Sequence, residues 1–519
     1  MKKVLAMVLA ISLLLTCAIG FAEGEEGSSI TFNIGQEPTT LDPGLNSGID
    51  GSLILTHTYE GLVKEVNHEV VLGVAESYDV SDDGLVYTFH LRDTAWSDGQ
   101  PLVAQQFEFA WKRAQDPAVA SSYSWIFDAA NIVSYRAVDD KTFEVTLSVP
   151  GPVFFQVLTG VTFMPLREDM VDYTSGAWAI DPAKAVSNGA YYMTDYTAGD
   201  RLVLQKNPNY YDKDAIKVDT LVGMMIVDQT TALTGYESGQ IDALCYVPPA
   251  EIPRLLNEEP DFAVSPANSA NFYAFNVTKA PFTDIRVRQA LSYSINRTAI
   301  VNDVLKDGST AAWSLIPGVV YDDQGRKFNE VSGDYGIPTD DSKYAEAKQL
   351  LSDAGFPDGA GFPEITILYN TSETNKAIAE AIQQMWMDNL GISVKLSNME
   401  SAVFHQTRVA HDFEVCRGGW WGDYADPLTH LDLYVSGSFG NYADWRNPEY
   451  DQLIAEAKLL SGAARFEKFY AADKLLSESF AYMPIAYAVH TSLINSDKVI
   501  GAQMSSTGVL NFLNAEVVG

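Results

Sequence analysis

Motifs for catalysis or metal binding are missing from this sequence. It contains no CxxC pair, no GxSxG elbow and no phosphate-binding loop. None of its seven histidines belongs to an HExxH motif or another tight metal pair. Paired acids such as Asp82-Asp83 lie in turn contexts typical of solvated side chains. The sequence therefore predicts no enzyme, metal or cofactor, and an exported hydrolase is kept only as a remote alternative.

Positive charge is scarce. The chain has 34 Lys and Arg residues against 68 Asp and Glu residues, a formal net charge of −34. The acids are spread along the chain and are not gathered in a tail. The resulting negative electrostatic field repels nucleic acid and anionic membranes and favours solubility outside the cell. The charge excludes nucleic-acid binding as the function and favours cationic ligands only weakly.

Long apolar runs occur only at the start. Lys2 and Lys3 precede an apolar run that is too short to remain in a bilayer. Small residues before Glu23 indicate signal-peptidase cleavage there, so residues 1–22 are predicted to be a signal peptide. A second interpretation stays open: residues 14–17 resemble a bacterial lipobox, in which Cys17 is lipidated. Both interpretations predict an exported protein, in the periplasm or on the outer face of the membrane.

Cysteine is rare as well, with three residues in 519. Once Cys17 is removed or lipidated, only Cys245 and Cys416 remain. Two thiols in an exported protein could pair, but the sequence does not show whether they lie close together. About 500 mature residues exceed one ordinary core, so two or three domains are expected.

One stretch, Phe413 to Pro427, organises the candidate site. It reads as a strand with Gly418, Gly419, Trp420 and Trp421, followed by Asp423 and an Asp-Pro turn. Adjacent glycines allow another chain to approach the backbone, and the tryptophans wall the opening. An open strand with Arg417 and Asp423 near its two ends suits an extended peptide with charged termini. An ordinary buried strand with core tryptophans is the competing interpretation.

Alternating strand and helix signals cover the rest of the chain. Residues 365–369 (strand), 377–390 (helix) and 394–396 (strand) predict a βαβ unit and a mostly parallel sheet. Residues 54–63 predict a helix, and Asp284 is predicted to cap another. Ligands gather at the carboxyl ends of strands in such sheets, and the Trp420-Trp421 stretch leaves such an end.

Short segments in a fixed order resemble the family-five extracellular solute-binding proteins, the oligopeptide and dipeptide receptors of ABC importers. The resemblance covers about residues 30 to 498. Its strongest segments are Ala75-Glu76-Ser77-Tyr78, Thr88-Phe89-His90-Leu91-Arg92, Trp96-Ser97-Asp98-Gly99, Tyr59-Glu60-Gly61-Leu62, Lys206-Asn207-Pro208-Asn209-Tyr210-Tyr211 and Gly419-Trp420 with Asp423-Tyr424.

The resemblance implies a fold and a domain division. It implies an α/β, two-lobed periplasmic-binding-protein-like fold with an extra α+β domain, the three-domain peptide-binding type. Lobe one would comprise residues 23–72, 188–269 and 489–519. The extra α+β domain would comprise residues 73–187, and lobe two residues 270–488. Closure of the two lobes around a ligand would be the working motion.

The resemblance also implies roles for individual residues. Asp423 would take the α-amino group of a peptide, and the backbone at Gly418, Gly419, Trp420 and Trp421 would pair with it, opposite the region around Glu60. Arg408 and Arg417 resemble basic positions for the carboxylate end. Tyr123 resembles an aromatic facing the ligand from the second domain, and Tyr487 is a further candidate. Asp423 as a turn cap, Arg417 as a structural ion-pair partner and Arg408 as a solvated helix end remain alternatives.

Two departures from the oligopeptide type concern the carboxylate end. The residues after Tyr369-Asn370-Thr371-Ser372 are Glu373-Thr374-Asn375 where a His is frequent, and Glu400-Ser401 stand where a Trp is frequent. They leave peptide length open. The expected partners are short peptides and the membrane subunits of an ABC permease, with a monomeric chain. A family member that binds a nickel chelate, haem or oligosaccharide is the alternative.

Overall fold

The structure is a computed structural model that describes residues 27–66, 69–151, 153–505 and 507–518. Predictions for the signal peptide and for Cys17 lie outside the described residues. No helix of the described residues is both long and apolar enough to cross a membrane.

The described chain alternates strands and helices throughout. The strands, in chain order, are β1 (Ser29–Asn33), β2 (Val63–Val66), β3 (Glu69–Leu72), β4 (Ala75–Val80), β5 (Val86–Leu91), β6 (Ile132–Asp139), β7 (Thr142–Leu147), β8 (Tyr191–Thr197), β9 (Arg201–Lys206), β10 (Thr220–Met224), β11 (Ala243–Leu244), β12 (Phe262–Phe275), β13 (Thr310–Ala311), β14 (Ile365–Asn370), β15 (Val394–Met399), β16 (Val415–Trp421), β17 (Tyr482–Ile494), β18 (Val499–Ile500), β19 (Gln503–Met504), β20 (Leu510–Asn511) and β21 (Glu516–Val517). The helices of seven residues or more are Ile49–Thr58, Ala104–Gln115, Gln229–Glu237, Ile252–Glu258, Ile285–Tyr293, Tyr344–Asp353, Glu373–Leu390, Ser401–Val409, Pro448–Lys458 and Gly462–Glu478. The shorter α-helices are Ile126–Ala129, Phe154–Val157, Arg297–Ala299, Phe328–Ser332 and Leu428–Leu431. Single 3-10 turns cover Val161–Phe163, Ala177–Ile180, Pro249–Glu251, Pro357–Gly359 and Asp432–Tyr434, and a π-helical turn covers Ile300–Leu305.

An eleven-stranded mixed sheet forms the frame. Its order is β15-β14-β16-β12-β17-β11-β1-β10-β9-β8, and β13 also pairs with β17. We call β1 and β8–β11 the first half-sheet and β13–β16 the second half-sheet. The long antiparallel pair β12 and β17, the central ribbon, lies between them. Each half-sheet therefore meets the other only through this ribbon.

The ribbon is irregular at its centre. Ala263–Pro266 pair with Val489–Ser492, and pairing resumes at Ala270 opposite Tyr487. Ala267, Asn268 and Ser269 lie in the resulting bulge, which bends a strand and turns its side chains out of the regular alternation. The bulge thus marks the crossing from one half-sheet to the other.

A separate antiparallel sheet, β4-β5-β7-β6, packs against the helix Ala104–Gln115. Trp111 lies at the centre of its core among Phe127, Phe143 and Phe163. The same helix carries Arg113, which is fully buried and forms two hydrogen bonds of 2.9 and 2.7 Å with Asp42. Buried charges persist when they are paired and hydrogen-bonded, so this pair joins the antiparallel sheet to the N-terminal segment.

Several predictions of secondary structure are confirmed. β14, the helix Glu373–Leu390 and β15 form the predicted βαβ unit, with β14 and β15 parallel. Asp284 caps the helix Ile285–Tyr293, since its carboxylate accepts a hydrogen bond from the Arg286 N–H at 2.9 Å. Both described cysteines, Cys245 and Cys416, are buried free thiols, so they do not pair.

The helix predicted over residues 54–63 is wrong in its bounds. It spans Ile49–Thr58, and Tyr59 is already extended at φ −125°, ψ 154°. Tertiary contacts end it: the Asn188 amide donates to the Glu60 carbonyl and accepts from the Glu60 N–H. Gly189 lies so close to the backbone of residues 57–59 that a Cβ there would stand 2.7 Å from Thr58. Sequence periodicity does not show contacts across 130 residues.

Asp473 yields a test of the core. It is fully buried in the helix Gly462–Glu478 and accepts a hydrogen bond from the Tyr335 hydroxyl at 2.9 Å. Burial raises the pKa of Asp473 from 3.8 to about 7, and the hydroxyls of Tyr335 and Ser332 offset part of this shift. Because the folded-state pKa lies above the unfolded one, ionisation costs stability as the pH rises from about 4 to 7.

We expect Asp473→Asn to raise the free energy of unfolding by about 2–4 kcal/mol at pH 8 and to leave it nearly unchanged at pH 4. Urea denaturation at the two pH values measures this. Asp388→Asn, at an exposed helix position, is the control and should follow the wild type. An equal effect of Asp473→Asn at both pH values would show that ionisation of Asp473 does not limit stability.

Candidate functional site

A cleft of about 270 Å³ opens between the N-terminal segment, the loops beside the antiparallel sheet, the end of β16 and the C-terminal segment. Its walls come from four parts of the chain: residues 46–65, residues 157–164, residues 421–423 and residues 505–513. Tyr123, Ile126, Ala190 and Asn268 complete the lining. The cleft therefore brings Glu60, Tyr123, Trp421 and Asp423 together from separate regions of the sequence.

Asp423 is the most perturbed acid of the cleft. It follows β16 by two residues, and the Tyr123 hydroxyl lies near enough to its carboxylate to influence its pKa. Its own N–H donates to Thr429 Oγ1 at 3.1 Å. Burial raises the pKa of Asp423 from 3.8 to about 6, and the Tyr123 hydroxyl opposes the shift. In the described chain, Lys and Arg residues form no ion pair with Asp423, so no cationic side chain compensates its charge.

Asn268 holds the turn that carries Asp423. It lies in the bulge of the central ribbon and donates from Nδ2 to the Tyr424 carbonyl at 2.9 Å. Its carbonyl accepts from the Gly422 N–H at 2.7 Å, and its Oδ1 contacts His430 Nε2 at 2.8 Å. A Cβ on Gly422 would lie 2.3 Å from Asn268 Nδ2, so this position requires glycine. The position of Asp423 is thereby fixed to the ribbon.

A buried ion pair supports the turn from behind. Arg465 donates to both oxygens of Asp426 at 2.5 and 2.8 Å, and both residues are buried. Asp426 also accepts from the Leu428 N–H at 2.9 Å, at the start of the helix Leu428–Leu431. Bidentate pairs of this kind fix orientation as well as distance. Asp423 therefore sits on a rigid loop.

β16 has one paired edge and one partly open edge. Val415 to Trp421 pair with Phe275 to Ser269 of β12. On the other side, β14 pairs only with Val415 and Cys416. In the described chain, no strand covers this edge from Arg417 to Trp421. An unpaired edge is a template for strand addition.

The two glycines of β16 serve different needs. A Cβ on Gly418 would lie 2.2 Å from the ring of Phe272, so Gly418 makes room for a core aromatic. A Cβ on Gly419 would lie 3.2 Å from Asn271 Oδ1 and 3.3 Å from the Arg417 guanidinium. We expected both glycines to let another chain approach the backbone. At Gly418, however, glycine is required by packing against Phe272 inside the protein.

The tryptophans point to opposite faces of β16, as alternation along a strand requires. Trp421 is 52% exposed, lines the cleft and packs against His490 at 5.3 Å between ring centroids. Trp420 is partly buried, does not line the cleft and contacts the ring of Phe439. Trp421 is therefore the cleft wall beside Asp423, and Trp420 faces a different surface.

Arg417 and Arg408 form a separate basic pair. Arg417 donates to Asn271 Oδ1 at 2.9 Å, and burial lowers the pKa of its guanidinium. Arg408 stacks on the Tyr442 ring at 4.0 Å. Burial raises the pKa of Tyr442, and the two guanidiniums offset part of this shift. In the described chain, neither arginine lies within ion-pair distance of a carboxylate. The structural ion pair considered for Arg417 is therefore not formed.

Glu60 and Tyr487 are engaged within the protein. Glu60 lines the cleft, but Asn188 occupies its backbone N–H and carbonyl. Its carboxylate accepts from Lys64 Nζ at 2.9 Å and from the Tyr210 hydroxyl. The Tyr487 hydroxyl is bound by Ser314 at 3.1 Å, and Tyr487 does not line the cleft. Neither residue presents free backbone or a free hydroxyl to a ligand.

Sequence reasoning missed the supporting residues. Glu60 and Lys64 are four residues apart, a spacing that indicates an ion pair only on a helix; here Lys64 lies on β2, and tertiary folding forms the pair. Asp426 before Pro427 and a helical run is a signal typical of a helix start. No sequence signal points to Asn268, because its partners lie more than 150 residues away.

Comparison with known proteins agrees with this architecture. A family model described as bacterial extracellular solute-binding proteins, family 5 Middle, matches residues 69–442. The chain is 34% identical over 483 residues to the periplasmic oligopeptide-binding protein OppA of Salmonella typhimurium, covering 89% of this chain and 87% of that protein.

Solved structures give the same result. The unliganded open form of the periplasmic murein tripeptide binding protein MppA matches with a TM-score of 0.81 at 31% identity, covering 95% of this chain and 98% of that one. Haemophilus influenzae OppA in complex with RPPGFSPFR matches with a TM-score of 0.74 at 28% identity, covering 95% and 100%. The two-lobed, mixed α/β architecture and the family match together place this chain among the family 5 bacterial extracellular solute-binding proteins.

Proposed function

We propose that this protein captures short peptides in its cleft and delivers them to an ABC permease. The observation that carries the proposal is Asp423, a partly buried carboxylate with no cationic partner among the described residues, beside an unpaired strand edge. The α-amino group of a peptide supplies the missing positive charge. A sugar offers no amine for this position, so the site favours peptides over oligosaccharides.

The opposite charge lies along the same strand. Arg417 precedes Asp423 by six residues, at most roughly 20 Å of extended chain. An extended peptide of up to about six residues spans that length. Its backbone would pair with the open edge from Arg417 to Trp421, and its carboxylate would meet Arg417 and Arg408. Because backbone pairing does not read side chains, peptides of many sequences would bind.

Relatives support this assignment by their names. OppA of Salmonella typhimurium is named for oligopeptides, and MppA for a murein tripeptide. The match to an unliganded open form is closer in TM-score than the match to a peptide complex. We infer that the structure represents the open conformation and that the lobes close by bending at the central ribbon.

The domain division fits the same proposal. We assign residues 23–72, 188–269 and 489–519 to lobe one, residues 73–187 to the extra domain, and residues 270–488 to lobe two. The boundaries at 269 and 489 fall in the irregular part of the ribbon, where bending costs fewest regular pairs. Tyr123 of the extra domain lines the cleft together with Asp423 of lobe two, so that domain would close over the amine end.

The first test concerns the amine. Calorimetry on ligand-stripped protein should show tight binding of a short mixed-sequence peptide. N-acetylation of the peptide, or Asp423→Ala, should each weaken binding by roughly 2–5 kcal/mol, because one buried charge is left unpaired.

Asp432→Ala provides a matched control, since Asp432 is half-exposed and paired with Lys458. It should bind like the wild type. Equal affinity for the free and acetylated peptides would contradict the role of Asp423. Folded, empty protein that binds no peptide would contradict the function itself.

The second test concerns the stability of the unliganded protein. Since burial raises the pKa of Asp423 to about 6, ionisation destabilises the unliganded protein as the pH rises from about 4 to 6. Asp423→Asn should therefore raise the free energy of unfolding by about 1–3 kcal/mol at pH 7.5 and leave it unchanged at pH 4. Thermal denaturation of stripped protein measures this, and a variant that is less stable at pH 7.5 would refute it.

The third test concerns the carboxylate. C-terminal amidation of the peptide should weaken binding to the wild type and have little further effect on Arg417→Ala, since the amide and the variant remove the same pair. The same amidation experiment on Arg408→Ala shows how much of the carboxylate's binding free energy depends on each guanidinium. The exposed Arg446→Ala is the control. The same loss on amidation in the wild type and in both variants would remove Arg417 and Arg408 from the carboxylate site.

A further inference from the structure

Phe439 is a large apolar side chain that is left in solvent. It is 62% exposed in the loop between Val435 and Asn441. Its ring packs edge-on against Trp420, with 6.2 Å between centroids and a 60° angle between planes. This is the geometry that aromatic pairs prefer. The two rings form an aromatic corner that is partly buried on the Trp420 side and open on the Phe439 side.

The loop that carries Phe439 is anchored at both ends. Asn441 donates from Nδ2 to the carbonyls of Tyr434, Val435 and Trp445, and its Oδ1 accepts from the Tyr482 hydroxyl at 2.9 Å. Gly440 lies against Leu433, where a Cβ would stand 2.8 Å from Cδ2. These contacts hold the turn in one conformation, and in that conformation Phe439 is exposed.

The corner lies beside the open edge of β16. Trp420 is on that edge, and Tyr442, three residues after Phe439, stacks under Arg408 at 4.0 Å. The segment from Phe439 to Tyr442 thus runs from Trp420 to the basic pair, alongside the path proposed for the ligand. A ligand strand on this edge directs alternate side chains to the Trp420 face of the sheet.

Trp420 supplies a second observation. Its indole Nε1 is buried and donates to no acceptor in the described parts of the chain. Buried donors are normally satisfied. A backbone carbonyl of the bound peptide is the acceptor that would satisfy this donor, while the side chain of the same peptide residue entered the corner between Trp420 and Phe439.

We propose that Phe439 and Trp420 form a subsite for one apolar or aromatic side chain of the bound peptide, and that Phe439 is a specificity-determining residue. The inference rests on the proposed peptide-binding function. Phe439 lies at the side of the ligand path, away from the charge partners of its ends. It would therefore change which peptides bind best and would leave the anchoring of the two termini intact.

The test uses tetra-alanine and three variants of it with a single Phe at position one, two or three. Calorimetry on stripped wild-type protein should show that Phe at one position is preferred over Ala by about 2- to 12-fold, the range expected for one aromatic contact. Phe439→Ala should reduce this ratio to near one. Phe439→Tyr, which keeps the ring, should retain it, as should Leu459→Ala, which removes an equally exposed apolar side chain elsewhere.

Three outcomes overturn the subsite and leave the proposed function standing. The wild type shows no preference at any position, Phe439→Ala keeps the wild-type preference, or Phe439→Ala weakens all four peptides equally. The last result would assign Phe439 to lobe closure. Failure of folded, stripped wild-type protein to bind any of the four peptides overturns the subsite together with the proposed function.

Discussion

The antiparallel pairing of β12 with β17 is the constraint on which the rest of the structure depends. Among the described residues it alone joins the two halves of the large sheet, and its bulge contains Asn268. Through Asn268 the ribbon fixes the turn of Gly422 to Tyr424. Paired antiparallel strands resist sliding because it would break every hydrogen bond of the register. The ribbon therefore admits bending at the bulge, beside the residue that holds the candidate anchor.

Two groups of charged residues differ in how they are paired. Asp42 with Arg113 and Asp426 with Arg465 are bidentate pairs, and each joins segments distant in sequence. Asp423, Arg417 and Arg408 have no opposite charge among the described residues. Leaving a desolvated charge unpaired costs free energy unless a ligand supplies the partner. The two bidentate pairs hold the scaffold, whereas Asp423, Arg417 and Arg408 lie on or beside β16. Arg288 and Arg297 are buried without a carboxylate as well, but backbone carbonyls satisfy their guanidiniums.

Local signals predicted the elements whose stability is local. The βαβ unit of β14 and β15, the Asp284 cap and the strand with the double tryptophan were readable because periodicity and capping act within one segment. Long-range contacts decided the rest. The helix before Glu60 ends early because of Asn188 and Gly189, and Gly418 is glycine because of Phe272. Trp421, and not Trp420, lines the cleft, because the face of β16 that carries Trp421 is the one that meets distant segments of the chain.

The two described thiols have a consequence for folding in an oxidising compartment. Cys416 lies on β16 and Cys245 directly follows β11, and each is a buried free thiol. Burial raises the pKa of the Cys245 thiol to about 12 and that of Cys416 as well. Since the thiolate is the reactive species, both thiols are unreactive in the native state. Folded protein is thereby protected from oxidative cross-linking, and a single cysteine introduced on either side of the cleft could be labelled selectively to report lobe motion.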